Sequence, residues 1–600
     1  MIPKDRLVRV AAPLTVVLAA LAAFAPVLGN DFVEWDDQDN FVDNPSYRGL
    51  EWAHLAWMVT TMHLGVYQPL SWLVAAVEYT VGGLQPAAYH AGSWTLHAAA
   101  AAMVYVVSKQ ILAGLAPNAG ALRLAAVCAA LLWALHPLRV EAVAWASAQG
   151  YPLAGVFVLA SVTAYLHTGA VPPAERARWM GVSVAAAALA YLAKPVAVTL
   201  PVVLLLLDWY PLRRFAATDR PWSVWIEKWP YVVPAALIAG IAPWARATLG
   251  TIEDDYRLGA RFAQAGYGLA YYLGKTVAPV GLSFYVPLAP DMNPLEPRFL
   301  VSGLLVAGLA IGAWRLRRAA PGVTVALACY VALLLPVLGL IPQGAQLVAD
   351  RYAYFAGIPL AIAVSAGGLS AWRRVGGRPV ARISLLIGAM ALLTTWGAAT
   401  WQRTAIWRDS ATLFRHTATI DPLRFWTQAV TANPRSARAH LRLGAALAAA
   451  GRHAEAIGHF DAAAALAPDN ANARLSAGLA LARLNRLDEA ITAYQRGLEL
   501  RPTDATGHAH LGELLARRGD LVAAEREYRL ALSLVAHPDL LNSLGVTLAQ
   551  QGRFEEAAAA FREALRLDPT HEEAGANLRM APAHGATGRA PAPDEPTGVP

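Results

Sequence analysis

Charge is scarce in this 600-residue chain: 15% of its residues are Asp, Glu, Lys or Arg, against 56% hydrophobic. With a mean hydropathy of +0.38, that composition excludes a single soluble globule and indicates an integral membrane protein. Cysteine is scarcer still. Cys128 and Cys329 both sit inside apolar runs, so they read as core residues, and neither a disulfide framework nor a thiolate metal site follows. The net charge of +7 is not gathered into a basic patch interleaved with aromatics, which argues against a nucleic-acid partner. A small-x-small cleavage site is also missing after the first apolar run. Lys4, Arg6 and Arg9 followed by Val10 to Leu28 therefore read as a retained anchor, not a removed signal peptide.

What the chain has is apolar length. Stretches able to cross a ~30 Å hydrocarbon layer recur near 9–29, 87–110, 119–135, 151–168, 179–194, 196–211, 230–248, 298–314, 321–341, 352–371 and 382–401. Eleven crossings are thus expected in an all-α polytopic domain over residues 1–405. Basic residues mark one alternating set of loops: Lys4/Arg6/Arg9, Lys109/Arg123, Arg176/Arg178, Arg213/Arg214/Arg220, Arg315/Arg317/Arg318 and Arg373/Arg374/Arg378/Arg382. The positive-inside rule makes that side cytoplasmic. Two further apolar stretches, 68–82 and 262–280, are then interfacial or re-entrant. The acidic loop 30–67, with 136–152, 193–201, 342–354 and everything after 401, falls on the extracytoplasmic side.

After residue 430 a period of 34 appears. Gly444, Gly478, Gly512 and Gly545 recur in phase with Ala456, Ala490, Ala524 and Ala557, and with Phe460, Tyr494, Tyr528 and Phe561. Small residues where two helices cross, an aromatic in the gap and Pro434, Pro468, Pro502 and Pro569 as stops make a tetratricopeptide (TPR) pattern. A TPR α-solenoid over 406–575 is expected, with four clear repeats and a degenerate first one at 409–422. Its concave groove would take an extended peptide or a protein partner, and the plainer alternative is a structural scaffold. Residues 576–600 are a Pro/Gly/Ala tail that cannot build a core.

The polar residues that interrupt the apolar pattern are the candidates for chemistry. Asp36 and Asp37 follow Trp35 in the acidic loop. They are a solvated surface, a general base with a raised pKa, or a pair of oxygen ligands for a divalent cation. Lys194 ends an apolar run before Pro195 and is either a snorkelling lysine or a cation at the outer surface. Asp350-Arg351-Tyr352 opens another span: Asp suits a helix start, and an arginine fork matches phosphate oxygens. His136 and Glu141 lie between the third and fourth spans, and a lone histidine there is more often structural. Tyr67 lies in the motif "YQPLSWL". Lys275, inside 262–280, is the most costly charge in the chain if it enters the membrane.

In order along the chain, "FVEWDDQDNFVDNP", "YQPLSWL", "HPLRVEAVAWASAQGYPLAGVF", "AKPVAVTLPVVLLLLDWYPL", "YLGKTVAPVGLSFYVP" and "DRYAYFAGIPLAI" precede the repeats. This set resembles the bacterial relatives of the transmembrane and TPR O-mannosyltransferases, membrane glycosyltransferases of the GT-C class. The resemblance implies a polyprenyl-phosphate donor, usually of mannose, and transfer to Ser or Thr hydroxyls of proteins outside the cytoplasm. It implies Asp36 or Asp37 as the base, and Arg351 with Lys194 or Lys275 as holders of the donor phosphate. It also implies a bacterial inner-membrane protein with its N-terminus cytoplasmic and its repeats periplasmic. The chain departs from the family after "AVAW", where Gln149, Gly150 and Tyr151 stand at positions usually charged. That departure supports an alternative, a non-catalytic membrane-anchored scaffold for periplasmic partners. A transporter would need mid-span charges and an inverted repeat, and neither is seen. A nucleotide-sugar enzyme would need a Gly-rich Rossmann loop, which is also missing.

Overall fold

The computed structural model describes residues 4–33, 36–217, 219–249, 258–284, 286–287, 292–340, 346–410, 412–413 and 437–585, with scattered positions between 422 and 435. It divides into two compact units, Met1–Ile420 and Asp421–Pro600.

Among the described residues the first unit is mainly helical. In order its helices are α1 (Lys4–Phe24), α2 (Trp52–Thr60), α3 (Pro69–Gly82), α4 (Pro86–Leu112), α5 (Ala119–Ala134), α6 (Val140–Ala144), α7 (Gly150–His167) and α8 (Pro173–Ala193). They continue as α9 (Leu200–Trp209), α10 (Pro221–Ile226), α11 (Trp229–Leu249), α12 (Leu258–Val277), α13 (Pro297–Leu316), α14 (Pro321–Leu334), α15 (Ala353–Val375) and α16 (Pro379–Thr404). A proline opens α3, α4, α8, α10, α13, α14 and α16. Its missing N–H costs nothing in the first turn and its fixed φ suits a helix. A short antiparallel pair, β1 (Val286–Pro287) with β2 (Gln346–Val348), joins two loops, Val286 facing Val348.

Among the described residues six helices are long and apolar enough to cross a membrane: Val10–Gly29, Pro86–Leu115, Ala146–His167, Pro297–Leu316, Asp350–Val375 and Pro379–Trp407. A seventh arises if Ala119–Ala134 and Pro137–Ala144, bent by 56°, form one broken span. The expected segments 179–194, 196–211, 230–248 and 321–341 are helical too, but fall short on length or composition. Pro195–Trp209, Trp229–Ile241 and Pro321–Val337 are apolar helices of 10–17 residues, and α8 carries Glu175, Arg176 and Arg178 near its start. Length and composition therefore do not establish eleven crossings. The stretches 68–82 and 262–280 are the helices α3 and α12, and neither is among the six. Of Ala146–His167, 72% is buried inside the protein, against 6% of Pro297–Leu316 and 11% of Pro379–Trp407. The apolar faces of those outer helices would be a liability in water and are ordinary in hydrocarbon.

In the second unit four helix pairs stack: Ala437–Ala449 with His453–Leu466, Ala471–Arg483 with Leu487–Leu500, Ala505–Arg518 with Leu521–Leu534, and Pro538–Gln550 with Phe554–Leu567. The in-phase glycines have a direct cause. A Cβ on Gly444 would lie 2.6 Å from the Phe460 ring, and one on Gly478, Gly512 or Gly545 would crowd Tyr494, Tyr528 or Phe561 at 2.8, 3.0 and 2.5 Å. The alanines at the crossing, Ala456, Ala490, Ala524 and Ala557, are fully buried.

A final helix, Glu572–Gly585, covers the open end of the last repeat, with Ala574 and Ala581 buried and Leu578 packed on the core. The tail expected from 576 thus begins later, because those apolar residues recur at helical spacing and have a face to cover. Most of the degenerate repeat at 409–422, and residues 586–600, lie outside the described residues.

Candidate active site

The acidic loop is folded. Asn30 Nδ2 donates to the Thr404 carbonyl (3.2 Å) and the Asp31 N–H to that of Arg408 (2.7 Å), tying its start to the end of α16. Phe32 stacks on Phe41 and meets the edge of Tyr89, with ring centroids 5.5 and 5.2 Å apart. Tyr47 and Tyr89 share a hydroxyl hydrogen bond of 2.7 Å.

Within this frame the two aspartates differ. Asp37 is completely buried. Its Oδ2 accepts from the Val33 N–H (3.0 Å), and its Oδ1 from the Ser147 N–H (2.9 Å) and Ser147 Oγ–H (2.5 Å). Asn40 Nδ2 holds that same Ser147 Oγ at 2.9 Å. Burial pushes the Asp37 carboxyl up to about 7, the hydrogen bonds from Ser147 and Val33 oppose the rise, and the Asp36 charge adds to it. Asp36 is half-buried. Trp35 lies outside the described residues.

Lys194 follows the last turn of α8. Its Nζ donates to Gln68 Oε1 (2.8 Å) and sits 5.4 Å from the centre of the Tyr151 ring. Burial pulls its ammonium down to about 8; Arg351 pushes the same way, and Asp36 opposes. Gly150 permits the approach, since a Cβ there would lie 3.0 Å from both Lys194 Cδ and Ser71 Oγ. Arg351 is clamped by Glu141: its Nη1 donates to Oε1 and its backbone N–H to Oε2 (2.8 Å). The guanidinium stands over the rings of Trp145 (5.1 Å) and Tyr352 (4.9 Å), and Gln346 Nε2 donates to the Tyr352 hydroxyl.

Asp350 faces another way, accepting from Tyr271 OH (3.1 Å) and from Arg403 Nη2 (3.0 Å). Three loops expected on one side of the membrane are therefore joined side chain to side chain, 37 to 147 and 141 to 351, and the fourth is joined to the start of α3, 194 to 68. Between them lies a cleft of about 20 Å³ lined by Asn40, Gln68, Ser71, Trp72, Ser147 and Gly150, room for about one water.

Asp36, Asp37, Lys194, Glu141, Arg351 and Tyr352 thus form one constellation. Three candidates stand apart from its centre. Lys275 ends α12, and its Nζ donates to the carbonyls of Val280 (2.5 Å) and Gly281 (3.1 Å) just beyond, 5.3 Å from the Tyr271 ring centre. His136 has both ring nitrogens committed: Nδ1 accepts from the Leu138 N–H, so Nε2 carries the proton and donates to the Thr276 carbonyl. That is a structural histidine. The Tyr67 hydroxyl donates to the Val59 carbonyl (3.1 Å), and it is the adjacent Gln68 that reaches Lys194.

Sequence reasoning passed over Ser147, Asn40, Gln68 and Arg403. The first three stand inside quoted motifs, as polar residues among apolar neighbours, and that was the available signal. Gln149 turns inward, its Nε2 donating to Glu78 Oε1 (2.5 Å) and to the Tyr89 carbonyl (3.2 Å), while Tyr151 lies against Lys194. A divalent cation would find Asp37 already bonded at both oxygens, and no group of three or more His, Cys, Asp or Glu is gathered among the described residues.

The fold and this constellation define an α-helical membrane protein with a TPR solenoid. Models of the TPR repeat match residues 478–519, and models of the tetratricopeptide repeat match 424–471 and 538–571. The chain is similar to protein O-mannosyl-transferase TMTC4 of Homo sapiens, 30% identical over 169 residues, and to that of Mus musculus, 29% identical over 169 residues. Each match covers 26% of this chain and 22% of the relative, so the chain spans about a fifth of those proteins. Among solved structures it is similar to YrrB, "a TPR protein with an unusual peptide-binding site" (24% identity, 26% of this chain, 81% of that one, TM-score 0.25). It is also similar to MamA (24% identity, 24% of this chain, 85% of that one, TM-score 0.24).

Proposed function

We propose that the membrane unit is a GT-C-like glycosyltransferase. It moves a sugar, mannose by the resemblance, from a polyprenyl-phosphate donor to Ser or Thr hydroxyls of extracytoplasmic proteins, and the TPR groove engages the acceptor. The observation that carries this reading is the gathering of the acidic loop, Lys194 and Arg351 through Asp37–Ser147, Lys194–Gln68 and Arg351–Glu141, with Lys194 feeling the charges of both Asp36 and Arg351. In the reaction the acceptor oxygen bonds to the anomeric carbon as the bond from that carbon to the phosphate oxygen breaks. The hydroxyl proton passes to Asp36, and the negative charge left on the lipid phosphate is received by Lys194 and Arg351. Asp37, locked on Ser147 and Val33, holds the loop. Lys275 is left to the neighbouring loop.

A second reading, a non-catalytic scaffold, is favoured by the Arg351–Glu141 clamp and by a cleft too small for a sugar. Transfer from synthetic polyprenyl-phosphate mannose to a Ser/Thr peptide by the purified chain separates the two. Asp36→Asn should lower the rate by ~10²–10⁴ while donor binding is kept. Absence of transfer by the wild-type chain with any lipid-linked sugar would leave the scaffold.

A further inference from the structure

We propose that the membrane unit also binds the phosphate headgroup of an anionic lipid, in a cavity at the far end of the helices from the candidate active site. The cavity, of about 500 Å³, lies between the start of α5 and the hairpin of α15 and α16, lined by Asn118, Gly120, Leu124, Trp372, Arg373 and Arg382. The same three helices lead to both places. α5 runs from Asn118 towards His136, α15 from Arg351 to Arg373, and α16 from Arg382 to Arg403. At about 1.5 Å per residue α15 alone is ~35 Å long, so the cavity lies one bilayer away from Arg351.

Its cations are uncommitted. Elsewhere in this unit Arg351 is paired with Glu141, Arg403 with Asp350, and Lys228 and Arg214 with Asp208. Neither Arg373 nor Arg382 has an acidic partner among the described residues. Arg382 stands 4.9 Å from the centre of the Trp372 ring, and its Nε is buried without an acceptor. A buried N–H without a partner is costly, and a ligand oxygen would relieve it. Two guanidinium forks match phosphate oxygens, and the positive end of the α5 dipole adds to the attraction. The apolar wall of Trp372 and Leu124, at the end of a membrane-length helix, suits a lipid headgroup and the start of its chains. The inference rests on the membrane reading of this unit and is independent of any transfer activity.

Native mass spectrometry of the full-length chain in detergent, with phosphatidylglycerol or phosphatidylcholine added, tests it. The wild type should retain phosphatidylglycerol preferentially. The double variant Arg373→Gln/Arg382→Gln should lower retention roughly 25-fold, from about fivefold per arginine. Leu124→Trp fills the cavity and keeps both charges, and it should lower retention as well. Arg315→Gln/Arg318→Gln, on an exposed turn of another hairpin, should leave it within about twofold. Equal retention of the two lipids, unchanged retention in the Arg373/Arg382 or Leu124 variants, or equal loss in the Arg315/Arg318 control would overturn the site. Inorganic phosphate binding to the lipid-free chain with the same dependence on both arginines would overturn the lipid as its source.

Discussion

At the residue scale, Asp36 and Asp37 are neighbours in sequence with unlike surroundings. Asp37 accepts three hydrogen bonds in a closed pocket. An amide there would turn its NH₂ on the Val33 N–H or on Ser147, leaving a buried donor unsatisfied at ~1–3 kcal/mol. Asp37→Asn should therefore lower thermal stability as well as transfer, whereas Asp36→Asn should lower transfer alone; melting curves of both variants beside their rates check this. The pH profile follows from the same groups. Asp37 has a folded pKa raised to about 7, so its contribution to stability is full below the ordinary carboxylate value and is lost as pH rises through about 7. Above about 7 the carboxyl is ionised and accepts all three hydrogen bonds, at a cost in stability; below about 7 it is protonated, the fold is more stable, and that full set of accepted bonds is lost. Lys194, depressed to about 8, loses its charge above that pH. Transfer should peak between about 7 and 8, and Lys194→Arg should remove the alkaline limb. A profile flat from 6 to 9 would remove both groups from the site. Arg351 gives Glu141 one guanidinium donor beside its backbone N–H, and turns a planar face to Trp145 and Tyr352; lysine would keep the backbone bond but cannot reproduce the planar, delocalised cation. Arg351→Lys should cut kcat/KM for the donor by ~10-fold or more, by loss of a charged hydrogen bond, with normal membrane insertion.

At the scale of elements, the parts readable from sequence were those with a local cause. The TPR phase showed because each crossing demands a glycine against an aromatic, and that demand recurs every repeat. Gly478→Leu would drive a side chain into Tyr494. Overpacking of this kind costs ~1–3 kcal/mol, so the isolated solenoid transition should fall while the membrane unit keeps its donor binding; calorimetry and a donor-binding assay read the two separately. Lys194 and Arg351 were readable as polar interruptions of apolar runs. Their partners were not, since Gln68 pairs with Lys194 and Ser147 with Asp37 across more than a hundred residues, and no periodicity encodes such a pairing. Lys275 stands apart from the other candidates for a physical reason. A charge in an apolar stretch suggests a membrane site, yet at the end of a helix it can satisfy carbonyls that have no other donor. The final helix Glu572–Gly585 was hidden by the Pro/Gly/Ala composition beyond it.

At the scale of the whole molecule, the bond from Arg403 to Asp350 places the end of α16 beside the start of α15. Residues 404–408 therefore lie at the same end of the membrane unit as the acidic loop. Glycan mass spectrometry of extracytoplasmic proteins tests the proposed transfer most directly, in cells that lack the chain and are complemented with the wild type or with Asp36→Asn. The wild type should restore hexose on Ser and Thr of a set of exported proteins, and Asp36→Asn should restore none of it at equal abundance in the membrane. Identical glycan profiles in all three cell lines would contradict the assignment of this protein as a glycosyltransferase.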